Sequence, residues 1–98
     1  MSSEIEITEV RVRLPKGDAG NIVGWASCLV CGGLVLDNIE ILRGRGGVLW
    51  VNFPSRPSRH GHALHFFYPI NRRTRDAIER AVLDKLAETA PGVDRRPT

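Results

Sequence analysis

The apolar residues of this chain change their spacing once, at Tyr68-Pro69-Ile70-Asn71, and that switch fixes the class of fold open to it. Before it the pattern is the two-residue alternation of strands; after it, the spacing of a helix. Ile5 to Leu14 alternates as a half-buried strand does, with a slip of phase between Ile7 and Val10 that predicts a bulge or bend. Pro15 to Asn21 is a turn cluster. Ile22–Val30 and Leu34–Leu42 read as strands joined tightly at Cys31-Gly32-Gly33. Gly44-Arg45-Gly46-Gly47 is a further turn, Val48–Phe53 a strand, Pro54–Gly61 a polar loop and His62–Phe67 a last strand. Asn71 is placed to cap a helix from Arg72 to about Thr89, with Ile78, Ala81, Val82 and Leu86 on one stripe and Pro91-Gly92 as its stop. The expected architecture is α+β: an antiparallel meander of about five strands with one C-terminal helix packed on its face.

Length and composition agree with one small domain, residues 1–90, followed by a short tail, 91–98. A core this small makes a homodimer interface a natural source of added stability. Met1-Ser2-Ser3-Glu4 lacks the order of a signal peptide, and the longest uncharged run, Ala19 to Leu36, is broken by glycines and Asn21. A cytoplasmic location with no membrane contact is expected.

Charge points to partners. Between Arg43 and Arg75 lie seven arginines, all three histidines and no carboxylate, whereas the flanking segments carry net −3 and −1. Such a field attracts polyanions, nucleic acid foremost, and the guanidinium fork suits phosphates and base edges. Arg72, Arg73 and Arg75 occupy the first helical turn, where the macrodipole disfavours cations and a sequence shaped for stability alone would place acids. With the free N–H groups of that turn they form a candidate phosphate receptor. Arg73 and Arg80 also fit an ion-pair ladder with Asp76 and Asp84. Arg43, Arg45, Arg56 and Arg59 sit in loops, where solubility explains any one of them as readily as binding does. The aromatic residues, Trp25 and Trp50 among them, read first as core, with base stacking open to an exposed ring.

Cys28-Leu29-Val30-Cys31 has metal-pair spacing, and His60, His62 or His65 are the only candidates to complete a zinc site. No second cysteine pair exists, and two cysteines three apart in a strand face opposite ways. No metal, cofactor or small-molecule substrate is expected. No nucleophile elbow accompanies the histidines either, so no enzymatic activity is expected.

The order of segments is familiar. Ile7-Thr8-Glu9-Val10-Arg11, Trp25-Ala26-Ser27, Val35 to Leu42, and Leu49 to Ser55 ending in Phe-Pro-Ser form one series. Tyr68-Pro69-Ile70-Asn71, Thr74-Arg75, Ile78 and Ala81-Val82-Leu83 complete it. This series, over about residues 5 to 88, resembles the stage V sporulation protein G family, SpoVG, whose members are also named for septation. The resemblance implies a small α+β homodimer tied to sporulation, septation or gene-expression control, binding DNA and in some members RNA, and not an enzyme. It implies nucleic-acid contacts at Arg56, Arg59, Arg72, Arg73 and Arg75. Departures fall at Cys31-Gly32-Gly33, at Tyr68, at Arg72 and in the Gly44–Gly47 turn. A second reading is a protein-interaction module of the division machinery, using free sheet edges and touching no nucleic acid.

Overall fold

The computed structural model describes residues 5–91; the expected tail beyond Pro91 lies outside them, as does the Met1–Glu4 segment. Four strands, β1 (Ile7–Arg13), β2 (Ile22–Val30), β3 (Leu34–Arg43) and β4 (Leu49–Asn52), form an antiparallel sheet in chain order. A two-stranded hairpin follows, β5 (Ser55–Pro57) with β6 (Ala63–His65), and then the helix α1 (Arg72–Thr89). The architecture is α+β, as the change of period requires.

The phase slip in β1 is a bulge. Register shifts between Thr8 and Arg11, and Glu9 takes a left-handed φ of 48°. A second irregularity, between Ala26 and Cys28 of β2, faces Asn38 of β3 at φ 58°, a conformation that asparagine tolerates. The β2–β3 connection turns through Cys31 and Gly32, both at positive φ, with Gly33 N–H donating to the Val30 carbonyl at 3.0 Å. Two left-handed residues match the right-handed twist of the strands they join.

α1 begins where the sequence places it. Asn71 is extended, and its Oδ1 accepts from Thr74 N–H at 2.8 Å. Ile78, Val82, Leu83 and Leu86 bury against one face of the sheet, where Ala26, Cys28, Ile39, Ile41, Leu49, Val51 and Phe53 point. Leu83 widens the expected stripe, while Ala81 lies half-buried at its margin. Ala90 N–H closes the last turn on the Leu86 carbonyl at 2.8 Å. No helix among the described residues is long and apolar enough to cross a membrane.

The last strand departs from the simple meander. Only Ala63–His65 is extended and paired, and its partner is Ser55–Pro57, inside the segment expected to be loop. Two causes are visible. Pro54 and Pro57 bring no N–H to a ladder. The free edge of β4 is also taken at Val51, whose N–H donates to Glu79 Oε2 at 3.2 Å and whose carbonyl accepts from Arg75 Nη2 at 3.1 Å. The helix, not a fifth strand, satisfies that edge.

Candidate nucleic-acid interface

Of the three arginines of the first helical turn, Arg72 and Arg75 line one groove and Arg73 another hollow, and their partners differ. No acid accompanies them there. Arg75 points inward: besides its bond to Val51 it stands 4.0 Å from Glu79 and lies over the Phe53 ring at 5.8 Å from the centroid. Its charge is engaged in holding helix to sheet. Arg73 lies on the flank of the helix, lining a hollow with Asp76, Arg80 and Asp84 beside Ile5 and Ile7 of the β1 side. Arg72 is exposed and lines a different groove, between the helix start, β4 and the end of the hairpin.

That groove encloses about 410 Å³. Trp50, Asn52, His65, Tyr68 and Arg72 line it, and none of the described side chains lining it is a carboxylate. Its shape follows from local chemistry. Trp50 and Asn52 alternate onto the sheet face opposite the helix, because Leu49, Val51 and Phe53 take the core face. His65 Nδ1–H donates to the Phe53 carbonyl at 3.0 Å, which fixes the ring's tautomer and holds the hairpin's end against β4. Tyr68 stands beside it, with ring centroids 6.1 Å apart.

The other sequence candidates flank this groove or lie apart from it. Arg56 is on β5 and Arg59 at the hairpin tip, both exposed. The tip is built by Ser58, whose Oγ accepts from His60 N–H at 3.3 Å and His62 N–H at 3.1 Å, with Gly61 at φ 80°. Arg43 ends β3 and Arg45 opens a short 3-10 turn, Arg45–Gly47. That turn folds onto Trp50: a Cβ on Gly44 would stand 3.2 Å from the indole nitrogen. Trp50 therefore connects the turn to the groove of Arg72. Arg80 remains with Arg73 on the helix flank.

Reading the aromatics as core holds for Phe53 but not for Trp50, Phe66 and Tyr68, which are exposed. Alternation places Trp50 outward, and Phe66 and Tyr68 follow a hairpin too short to cover them. Sequence reasoning also passed over Arg11 and Arg13. They fall outside the acid-free block, yet cross-strand register sets Arg11 opposite Ser27 and Arg13 opposite Trp25. Arg13 stacks on Trp25 at 5.6 Å and donates to Asn38 Oδ1 at 3.3 Å. The alternation of β1 was the signal that marked both as outward-facing.

The cysteines lie in different surroundings. Cys28 is in the core, where burial pushes its thiol pKa up, and Cys31 is exposed in the turn. Among the described residues no three His, Cys, Asp or Glu side chains converge as a metal site would need.

A model of the SpoVG family matches residues 5–88. The chain belongs to the SpoVG family. Among its relatives, a SpoVG protein of Caldicellulosiruptor bescii, named for septation, is 31% identical over 81 residues, covering 83% of this chain and 90% of its own. A SpoVG protein of Acetivibrio thermocellus is 31% identical over 88 residues, 90% of this chain and 92% of the relative. One from Desulforudis audaxviator is 34% identical over 80 residues, with 82% and 89% covered. The family match spans the hairpin, the groove and nearly all of α1, so every candidate arginine lies within the SpoVG domain.

Proposed function

We propose that this SpoVG protein is a non-catalytic regulator that binds nucleic acid, acting as a homodimer in septation, sporulation or gene-expression control. The pathway rests on the septation names of its relatives. The binding rests on one observation above the rest: a groove lined by Arg72 together with the rings of Trp50 and Tyr68, with no carboxylate among its described lining residues. Arg56 and Arg59 on the adjacent hairpin extend the positive surface. DNA and RNA share the chemistry that this surface offers.

The competing role, strand addition by a protein partner, needs a free sheet edge. β4 has its Val51 groups occupied by Arg75 and Glu79, and β1 is bulged at Glu9. Both features favour the nucleic-acid reading.

Binding of duplex and single-stranded probes across a salt series tests it. Arg72→Ala should flatten the slope of log K against log salt by about 0.7–0.9 of a unit, as loss of one phosphate contact does, and Arg56→Ala with Arg59→Ala by up to about twice that. Absence of binding to any nucleic acid at low salt, with a nuclease-insensitive protein partner in its place, overturns the proposal.

A further inference from the structure

The geometry points to a site for one unpaired nucleobase in the groove lined by Trp50, His65, Tyr68 and Arg72, so that the protein selects single-stranded over duplex nucleic acid. The inference rests on the nucleic-acid reading and deepens it. Four observations carry it.

First, the rings are uncovered. Trp50 is 38% exposed and Tyr68 64% exposed in a domain that buries Phe53. Large rings left in water forgo the burial that drives folding, and a stacking partner restores it. Second, the charge is one-sided. With no carboxylate among the described lining residues and Arg72 at the rim, the groove suits a ligand that is aromatic and anionic together. A nucleotide is such a ligand; an apolar peptide is not. Third, the space is right in kind. At about 410 Å³ it falls within the range of about 300–1,000 Å³ typical of small-molecule sites, too little for a helix or a duplex end. Fourth, polar groups are set at its wall. His65 donates through Nδ1 to Phe53, which leaves Nε2 as the ring's remaining polar atom, and Asn52 has its Nδ2 tied to Glu40 Oε1 at 3.0 Å. These groups are held in place before a base arrives.

Duplex bases stack on one another and offer no free face to a ring in a groove. A single strand does, and each base stacked on an aromatic side chain contributes substantially to affinity without reading sequence. Arg72 then meets the adjoining phosphate, and the hairpin arginines, Arg56 and Arg59, meet phosphates further along the strand.

The test uses strands of about a dozen nucleotides, a length within the span that small binding domains occupy. The probes are oligothymidylate, oligouridylate, an abasic deoxyribose-phosphate strand of equal length, and a duplex. The unmodified protein should bind both base-bearing strands about tenfold or more tighter than the abasic strand, although the phosphates are the same. Comparing the thymidylate and uridylate arms distinguishes DNA from RNA as the source of the base. Tyr68→Ala should reduce that preference about fivefold or more while leaving the salt slope unchanged, because no phosphate contact is lost. In a Trp25→Phe background the fluorescence of Trp50 should be quenched by base-bearing strands and not by the abasic one. Equal affinity for abasic and base-bearing strands, with binding retained, overturns this inference and leaves the proposed function standing. Failure to bind any of the four probes overturns both.

Discussion

At the scale of single residues, Arg72 and Arg75 have the same sequence standing and opposite structural ones. Both oppose the helix dipole. Arg75 answers the Val51 carbonyl, Glu79 and the Phe53 ring, whereas Arg72 is exposed at the groove. Arg75→Ala leaves the Val51 carbonyl at the edge of β4 without its donor, and about 1–2 kcal/mol of unfolding free energy should be lost. Arg72→Ala should change stability by no more than about 0.5 kcal/mol, in the stabilising direction if any, because a cation leaves the positive helix end. Urea denaturation of the two variants separates a structural arginine from a binding one. A loss of stability at Arg72 equal to that at Arg75 would mean that Arg72 also holds the fold. The three-residue cluster was legible in the sequence, but the direction of each side chain was not. Arg72 and Arg75, three positions apart, share a side of the helix and line one groove, so only the tertiary partner of each decides its role.

At the scale of elements, legibility followed how local the cause is. α1 was readable, its start to the residue and its end approximately, because the signals, Asn71 and Pro91-Gly92, are near in sequence. The β1 bulge was readable because alternation is a local rule. The hairpin β5–β6 was only half readable. That Val51 of β4 is met by Arg75 and Glu79, 24 and 28 residues further along the chain, has no local signature, so nothing marked the sheet as closed to a fifth strand. The same remoteness hid the groove, which needs β4, the hairpin end and the helix start together. Because Asn71 caps α1 beside that groove, it sets the position of Arg72 as well as the stability of the helix. Asn71→Ala should cost about 1 kcal/mol in thermal or urea unfolding. Asn71→Asp should keep the cap and gain from the dipole. If Asn71→Ala unfolds like the unaltered protein, the bond from Thr74 N–H contributes nothing in solution.

At the scale of the whole molecule, a domain this small cannot cover both faces of its sheet with one helix. The face opposite α1 carries Val35, 65% exposed, paired across the strands with Leu29, and Leu34 at the hairpin end is 58% exposed. Arg11, Ser27 and Trp25 share that open face. A second copy covering the Leu29–Val35 end would bury apolar surface while leaving the groove at Trp50 free, because Trp50 pairs with Leu42 at the other end of β3. The expected state is therefore a dimer with two grooves, and Val35→Asp, which places a carboxylate in the interface, should shift it to monomer in sedimentation equilibrium. The functional consequence is sharper than the change of mass. Two linked sites hold one long strand with an effective concentration that a monomer lacks, so the variant should lose affinity for long strands by at least about a hundredfold. For strands long enough to fill one groove only, its affinity should match the unaltered dimer. A Val35→Asp protein that stays dimeric would move the interface away from the open sheet face. One that becomes monomeric and loses affinity equally for short and long strands would place the partner subunit inside each binding site.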